Sequence, residues 1–165
     1  MDIQLLDCVV TNMNTRVMAK KLKDSFEFLI KEYGFHLFSN IIEKEYCILK
    51  MKNDTTGISI NYEIREDDII VYLYRLIDGN IIEDTGPVSS EIPLNCIDLR
   101  YIVKFKKSES IDGIDMYKYS SYDDLIESII NDMKKYAEDV LNGSFDVFIK
   151  VDAMAKKRRL EWQNS

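Results

Sequence analysis

Apolar residues along this chain change their spacing from one third to the next. Over "NTRVMAKKLKDSFEFLIKEYG", Val17, Met18, Leu22, Phe26, Leu29, Ile30 and Tyr33 recur every three or four positions, which predicts one apolar face of a helix. Asn14 or Thr15 is placed to cap its start, and Gly34 to end it in a left-handed conformation. The spacing then falls to two. In "ISINYEI", Ile58, Ile60, Tyr62 and Ile64 alternate with Ser59, Asn61 and Glu63, the pattern of a half-buried strand. "IIVYLYRLI" is β-branched and aromatic on both faces, as a central strand should be. "FHLFSNII" and "EYCILKMK" read as shorter strands before the turn set "NDTTG". Asp78-Gly79 is a hairpin signal, with "NIIED" as the returning strand.

From Thr85 to Tyr119 the pattern weakens. "TGPVSSEIPLN" reads as a loop and "SESIDGIDMYKY" as a polar excursion. In "CIDLRYIVKFK", Tyr101, Val103 and Phe105 alternate and favour a further strand, with a helical turn in its first half as the alternative. Helical spacing then returns. Ser121, with Asp124 three residues on, opens a helix in capping-box style, and Leu125, Ile126, Ile129, Ile130, Met133, Ala137, Val140 and Leu141 line its apolar face. Gly143 ends it. Ser144 is expected to cap a last helix with Phe145, Phe148, Val151 and Ala155 inward, "KKRR" in its last turns and Trp162 folded back onto the body. Ile3 to Val10 fits either a short strand or an extension of the first helix. The sum is a single α+β domain over residues 1–165: an N-terminal helix, an antiparallel meander of four to six strands, and two C-terminal helices packed on the sheet.

Composition narrows the class. A chain of 165 residues, 46% hydrophobic and 31% charged, has the length and apolar content for one domain with a real core. No apolar run approaches the roughly 18 residues of a membrane span. "MDIQLLDCVV" carries acids where a secretory signal needs bases. Cys8, Cys47 and Cys96 are odd in number and in apolar contexts, as expected of reduced thiols in a cytoplasm. A sequence pI near 4.8 argues against nucleic acid as a direct ligand, since phosphate contacts need clustered Lys and Arg.

Candidate chemistry is sparse. His36 is the sole histidine; with Cys47 or Cys96 it would make a thiolate–imidazole pair, but a histidine inside "GFHLFSN" reads first as a structural or surface residue. No metal-ligand spacing and no phosphate-cradling glycine loop is present. Carboxylate pairs such as Asp67-Asp68 and Asp123-Asp124 sit at a turn and a helix start, where acids cap and solubilise. No catalytic residue, cofactor or metal is therefore expected. The rivals are a small Cys/His hydrolase and a small-molecule-binding module, the latter to be marked by a deep apolar pocket.

The acid distribution is more informative. From Asn61 to Glu91 eight carboxylates face two arginines, a net −6 out of −7 for the chain, whereas residues 1–57 balance at eight and eight. Tyr62, Tyr72 and Tyr74 are interleaved with these acids, a composition that suits a recognition surface. The expected partner-binding residues are Glu63, Glu66, Asp67 and Asp68 in the "REDD" region, Glu83 and Asp84 across the next turn, and Tyr72 and Tyr74 as aromatic anchors.

In layout, with "GFHLFSN", "ISINYEIREDDIIVYLYRL" and the closing "LNGSFDVFIKVDAMAKKRRLEW", the chain resembles the small bacterial immunity proteins encoded beside secreted polymorphic or contact-dependent toxins. The resemblance implies a non-catalytic cytoplasmic inhibitor of one cognate protein toxin, often a nuclease. It carries over no functional residues. A nuclease must hold a polyanion, so its cleft is basic, and an acidic surface is the complementary antidote.

Overall fold

The computed structural model describes residues 14–83, 93–108 and 117–165. The expected element at Ile3 to Val10, the loop residues 85–91 and part of the excursion before Tyr117 lie outside these. Two short helices, α1 (Thr15–Ser25) and α2 (Glu27–Tyr33), come first. Five strands follow in the order of the chain, β1 (His36–Ile42), β2 (Tyr46–Lys52), β3 (Thr56–Glu63), β4 (Asp68–Arg75) and β5 (Cys96–Asp98), every neighbouring pair antiparallel. Then come α3 (Leu99–Lys106), α4 (Tyr122–Tyr136), the single turn α5 (Glu138–Leu141) and α6 (Asp146–Gln163). This is the α+β meander expected, with helices before and after one sheet.

The helices cover one face. Cys47, Leu49 and Met51 on β2, Ile58, Ile60 and Tyr62 on β3, and Ile69, Val71 and Leu73 on β4 lie in register across the sheet. They are buried in one cluster with Met18, Leu22, Leu125 and Ile129 of the helices. Each such side chain contributes about 1.5–3 kcal/mol when fully buried. The β2–β3 turn is tied to the helix ends: Asn53 Nδ2 donates to the carbonyls of Tyr33 and Leu141, and the Thr56 hydroxyl to Val140 O at 2.8 Å.

Several expectations are corrected. The first helix is broken at Phe26, whose carbonyl is taken by Leu29 N three residues on. Val17 and Ile30, expected inward, are exposed; each sits about 100° round the helix from its buried neighbour, Met18 or Leu29. Of "NIIED", the described residues 80–83 form no strand. Ile77 and Asn80 close a single bridge around Asp78 and Gly79, both at positive φ, and the chain then crosses the uncovered face of the sheet. There Ile81 lies over Gly57, and Glu83 is ion-paired with Lys50. The place beside β4 goes to β5 instead, with Tyr72 paired to Asp98 and Tyr74 to Cys96.

The alternation of Tyr101, Val103 and Phe105 belongs to α3. Asp98 caps it by accepting from Arg100 N at 2.9 Å, and Leu99, Ile102 and Val103 are its buried residues. In so short an apolar run the two periods overlap. Ser121 does cap α4, accepting from Asp124 N. Ser144 does not cap α6: Phe145 holds the cap position with no side-chain bond, and Ser144 N–H closes the preceding turn onto Asp139 O at 2.8 Å. Trp162 does not fold back: it is 82% exposed.

Candidate functional site

The acidic zone divides in the structure into an exposed half and a buried half. Glu63 and Glu66 are exposed at the β3–β4 turn. Asp67 is part of the framework. It takes a left-handed conformation (φ 48°); its carbonyl accepts from the Tyr119 hydroxyl at 2.6 Å, and its carboxylate from the Tyr122 hydroxyl. Tyr122 in turn shares a hydrogen bond of 3.1 Å with Tyr62. Burial and this hydrogen-bonded carboxylate push the Tyr122 hydroxyl well above the ordinary tyrosine range. The network joins the start of α4 to the β3–β4 turn.

Asp68 is a correction. It is 5% exposed, with Arg100 Nη1 3.0 Å from its carboxylate, and Arg100 Nη2 lies 2.7 Å from the equally buried Asp98. An acid so enclosed cannot meet a partner. Tyr74 is a second correction: it is 6% exposed and hydrogen-bonded to the Cys96 thiol, so it is a core residue and no anchor. Tyr72 is half-buried on the uncovered face. Glu83 is exposed but engaged with Lys50. Asp84 lies outside the described residues.

The fold replaces these losses with acids from elsewhere. In an antiparallel meander the β1–β2 and β3–β4 turns share one end of the sheet, and here they touch: Ile64 N donates to Glu45 O at 2.9 Å, and Arg65 reaches the Glu45 carboxylate at 3.6 Å. Exposed Glu43 and Glu45 thus join Glu63 and Glu66. The start of α4 is tied to this turn through Tyr122 and Asp67, but there Asp123 is ion-paired with Lys21 of α1 and Asp124 accepts from the Ser120 hydroxyl. Beside Glu43 and Glu45, Ile41, Ile42 and Tyr46 are exposed large apolar residues, and Tyr46 pairs directly with Glu63. The chain stretch "IIEKEY" carries this patch in plain sight, but the even charge balance of residues 1–57 hides it.

The residues of the rival hydrolase are not brought together. Cys47 is buried on the helix-covered face, and His36 is exposed near the other end of the sheet, opposite Lys52. Five residues of strand, roughly 17 Å, separate Lys52 from Cys47. Cys96 stands on the row His36–Lys52–Gly57–Tyr74–Cys96, four strand spacings or about 19 Å from His36. Burial pushes both thiols up to about 11, away from the thiolate form that nucleophilic attack requires. Among the described residues no group of three His, Cys, Asp or Glu side chains is placed to hold a metal ion, and no helix is long and apolar enough to cross a membrane.

A second concave feature lies away from the acidic end. Between α6 and the β5 edge runs an open cleft of about 760 Å³, with Tyr72, Ile97 and Tyr101 on one wall and Val151, Ala155 and Trp162 on the other. No protein-family model, curated protein or solved structure matches the chain, so the reading of both surfaces rests on their own chemistry.

Proposed function

We propose that this protein is a non-catalytic binding protein acting in the cytoplasm, an immunity-type inhibitor that neutralises a cognate basic protein toxin, such as a nuclease, through the acidic end of its sheet. The observation that supports this reading is the meeting of the β1–β2 and β3–β4 turns, which sets Glu43 and Glu45 beside Glu63 and Glu66, with exposed Tyr46 paired to Glu63. Charges around a small apolar centre suit recognition: the carboxylates speed encounter with a basic surface, and Tyr46 is the aromatic anchor that slows departure. Glu63 and Glu66 keep the role expected of them, and Tyr46 takes over from Tyr72 and Tyr74.

The reading requires a secreted protein with a variable C-terminal domain to be encoded beside this chain, and the test uses that domain. Co-expression with that domain should protect the cell. Reversing Glu43, Glu63 and Glu66 to Lys together should slow association and flatten its dependence on salt between about 50 and about 300 mM, where screening changes most. Tyr46→Ala should raise the dissociation rate with little change in association. Failure of the wild-type chain to bind or protect would overturn the reading, as would kinetics untouched by the triple reversal.

A further inference from the structure

Among the described residues no strand lies beyond β1, which forms one edge of the sheet. His36, Phe38, Asn40, Ile41 and Ile42 along it are exposed. Asn40 and Ile42 stand opposite the core residues Leu49 and Cys47, on the face that the helices cover, yet both are exposed. No described helix therefore overhangs this edge. Edge strands are kept from pairing by lysine, proline, shortness or a bulge. From His36 to Ile42 there is no Asp, Glu, Lys, Arg or Pro. The one protective device is the register shift at Phe38.

Backbone geometry fixes which groups are free. Glu43 N donates to Tyr46 O at 2.8 Å, closing the β1–β2 turn. Bonding alternates along an antiparallel pair. Ile41 and Ser39 thus turn their N–H and C=O groups towards β2, and Ile42 and Asn40 turn theirs outwards. An extended strand offers partners at the matching repeat.

The residues of β1 select a second copy of the same strand. Antiparallel pairing about Ile41 sets Asn40 of each chain opposite Ile42 of the other, so both outward residues are used, in four backbone bonds. Pairing about Asn40 would run into the irregularity at Phe38, and pairing about Ile42 into the Glu43–Tyr46 turn. About Ile41, the two Ile41 side chains meet on the twofold axis, and Ser39 stands opposite Glu43 of the second copy, a hydroxyl donor facing a carboxylate. Charge agrees with this direction. The two Glu43 positions lie four residues apart along the strands, about 13 Å, beyond the screening length of about 8 Å. A parallel pair would set them only about 5 Å apart. A foreign partner of a chain with net charge −7 is met through bases, and β1 offers them no carboxylate.

We propose that two copies of this chain join through antiparallel pairing of residues 39–43 at the β1 edge, merging two five-stranded sheets into one. Tyr46, Glu63 and Glu66 lie outside this ladder. The pairing is therefore independent of the toxin reading, and its failure would leave that reading standing.

Sedimentation velocity of the full chain, from about 10 µM to about 1 mM, should show a reversible monomer–dimer equilibrium with a dissociation constant on the order of 100 µM, as befits a short interface. Asn40→Pro removes an N–H that points away from β2. It should keep the wild-type melt and weaken the dimer at least about tenfold. Ile41→Lys, which sets two like charges on the twofold axis, should weaken it as much, and replaces the proline variant if that does not fold. Ile41→Cys should give a disulfide-linked dimer under diamide in excess of the wild-type chain. Phe38→Cys should not, because the two Phe38 positions lie about 20 Å apart. The proposal is overturned if the wild type stays monomeric at about 1 mM, if a folded Asn40→Pro or Ile41→Lys variant dimerises as the wild type does, or if Phe38→Cys cross-links as readily as Ile41→Cys.

Discussion

Asp68 and Arg100 form an ion pair of 3.0 Å in which both side chains are at most one-tenth exposed, at the corner where β4, β5 and α3 meet. Asp98 binds the same guanidinium through its other nitrogens. The arginine therefore holds the start of α3 against the start of β4, joining parts of the chain that lie 32 residues apart.

Removing one member of such a cluster leaves the others desolvated and undercompensated. Asp68→Ala should cost about 2–4 kcal/mol, and Asp68→Lys should prevent folding by setting a second buried cation against Arg100. Glu66→Lys, two residues away but exposed, should stay within about 0.5 kcal/mol. Urea unfolding of the three variants measures the contrast. Equal effects at positions 66 and 68 would contradict the burial of Asp68.

The Tyr122 hydroxyl joins α4 to the β3–β4 turn through the Asp67 carboxylate. Tyr122→Phe removes that bond and the one to Tyr62 while keeping the ring packed edge-on against Tyr62. A loss of about 1.5–3 kcal/mol is expected, the range for a hydrogen bond to a charged group. Thermal unfolding reads the loss, and amide exchange at residues 64–67 should show the turn loosened before the rest of the sheet.

The two described thiols should react slowly in the native protein. Cys47 and Cys96 are raised from 9.0 to about 11 by burial, so at pH 8 an aromatic disulfide reagent should label fully buried Cys47 only as fast as the chain opens, and half-buried Cys96, on the wall of the open cleft, sooner but far below the rate of a free thiol. The linkage has a definite sign. Between about 9 and about 11 the unfolded chain ionises these thiols while the folded chain keeps its protons. Stability contributed below pH 9 is thus lost as pH rises through that window. Replacing both cysteines by Ser should flatten this part of the stability–pH curve, a change that unfolding at pH 8, 9.5 and 11 (test conditions bracketing the window) would reveal.

Gly57 leaves room for the segment that crosses the uncovered face of the sheet. A Cβ at this position would stand 2.5 Å from Ile81 Cγ1, a clash that can be relieved only by moving Ile81. Gly57→Ala should therefore lift residues 76–83 from the sheet, loosen the Lys50–Glu83 pair and speed proteolysis in that segment, at a cost of about 1–3 kcal/mol. Unchanged cleavage would mean that Ile81 repacks without releasing its neighbours.

Long stretches with one clear period were legible in advance: the helical faces of α1 and α4, and the alternation of β3 beside the two-sided β4. Short stretches were not. Cys96 to Lys106 holds three residues of strand and eight of helix, too few of either for a period to declare itself. Nor could local rules tell that Ile81 and Glu83 would lie across β2 and β3 instead of returning beside β4. Of the residues expected at a partner surface, Glu63 and Glu66 are exposed, whereas Asp68 and Tyr74 belong to the interior. Glu43 and Glu45 were visible as residues but not as neighbours of the β3–β4 turn.

By itself, then, the sequence determined the long elements, the antiparallel meander of β1 to β4, the α+β class and the overall negative charge, because side-chain periods and turn chemistry act over a few residues. Which carboxylates face solvent was decided only by the tertiary structure. Asp67 and Asp68 are adjacent acids in one polar turn, and nothing local separates them from Glu66. Their burial depends on Tyr122, 55 residues from Asp67, and on Arg100, 32 residues from Asp68. The desolvation of a charge is offset only by a partner that the fold delivers from far along the chain.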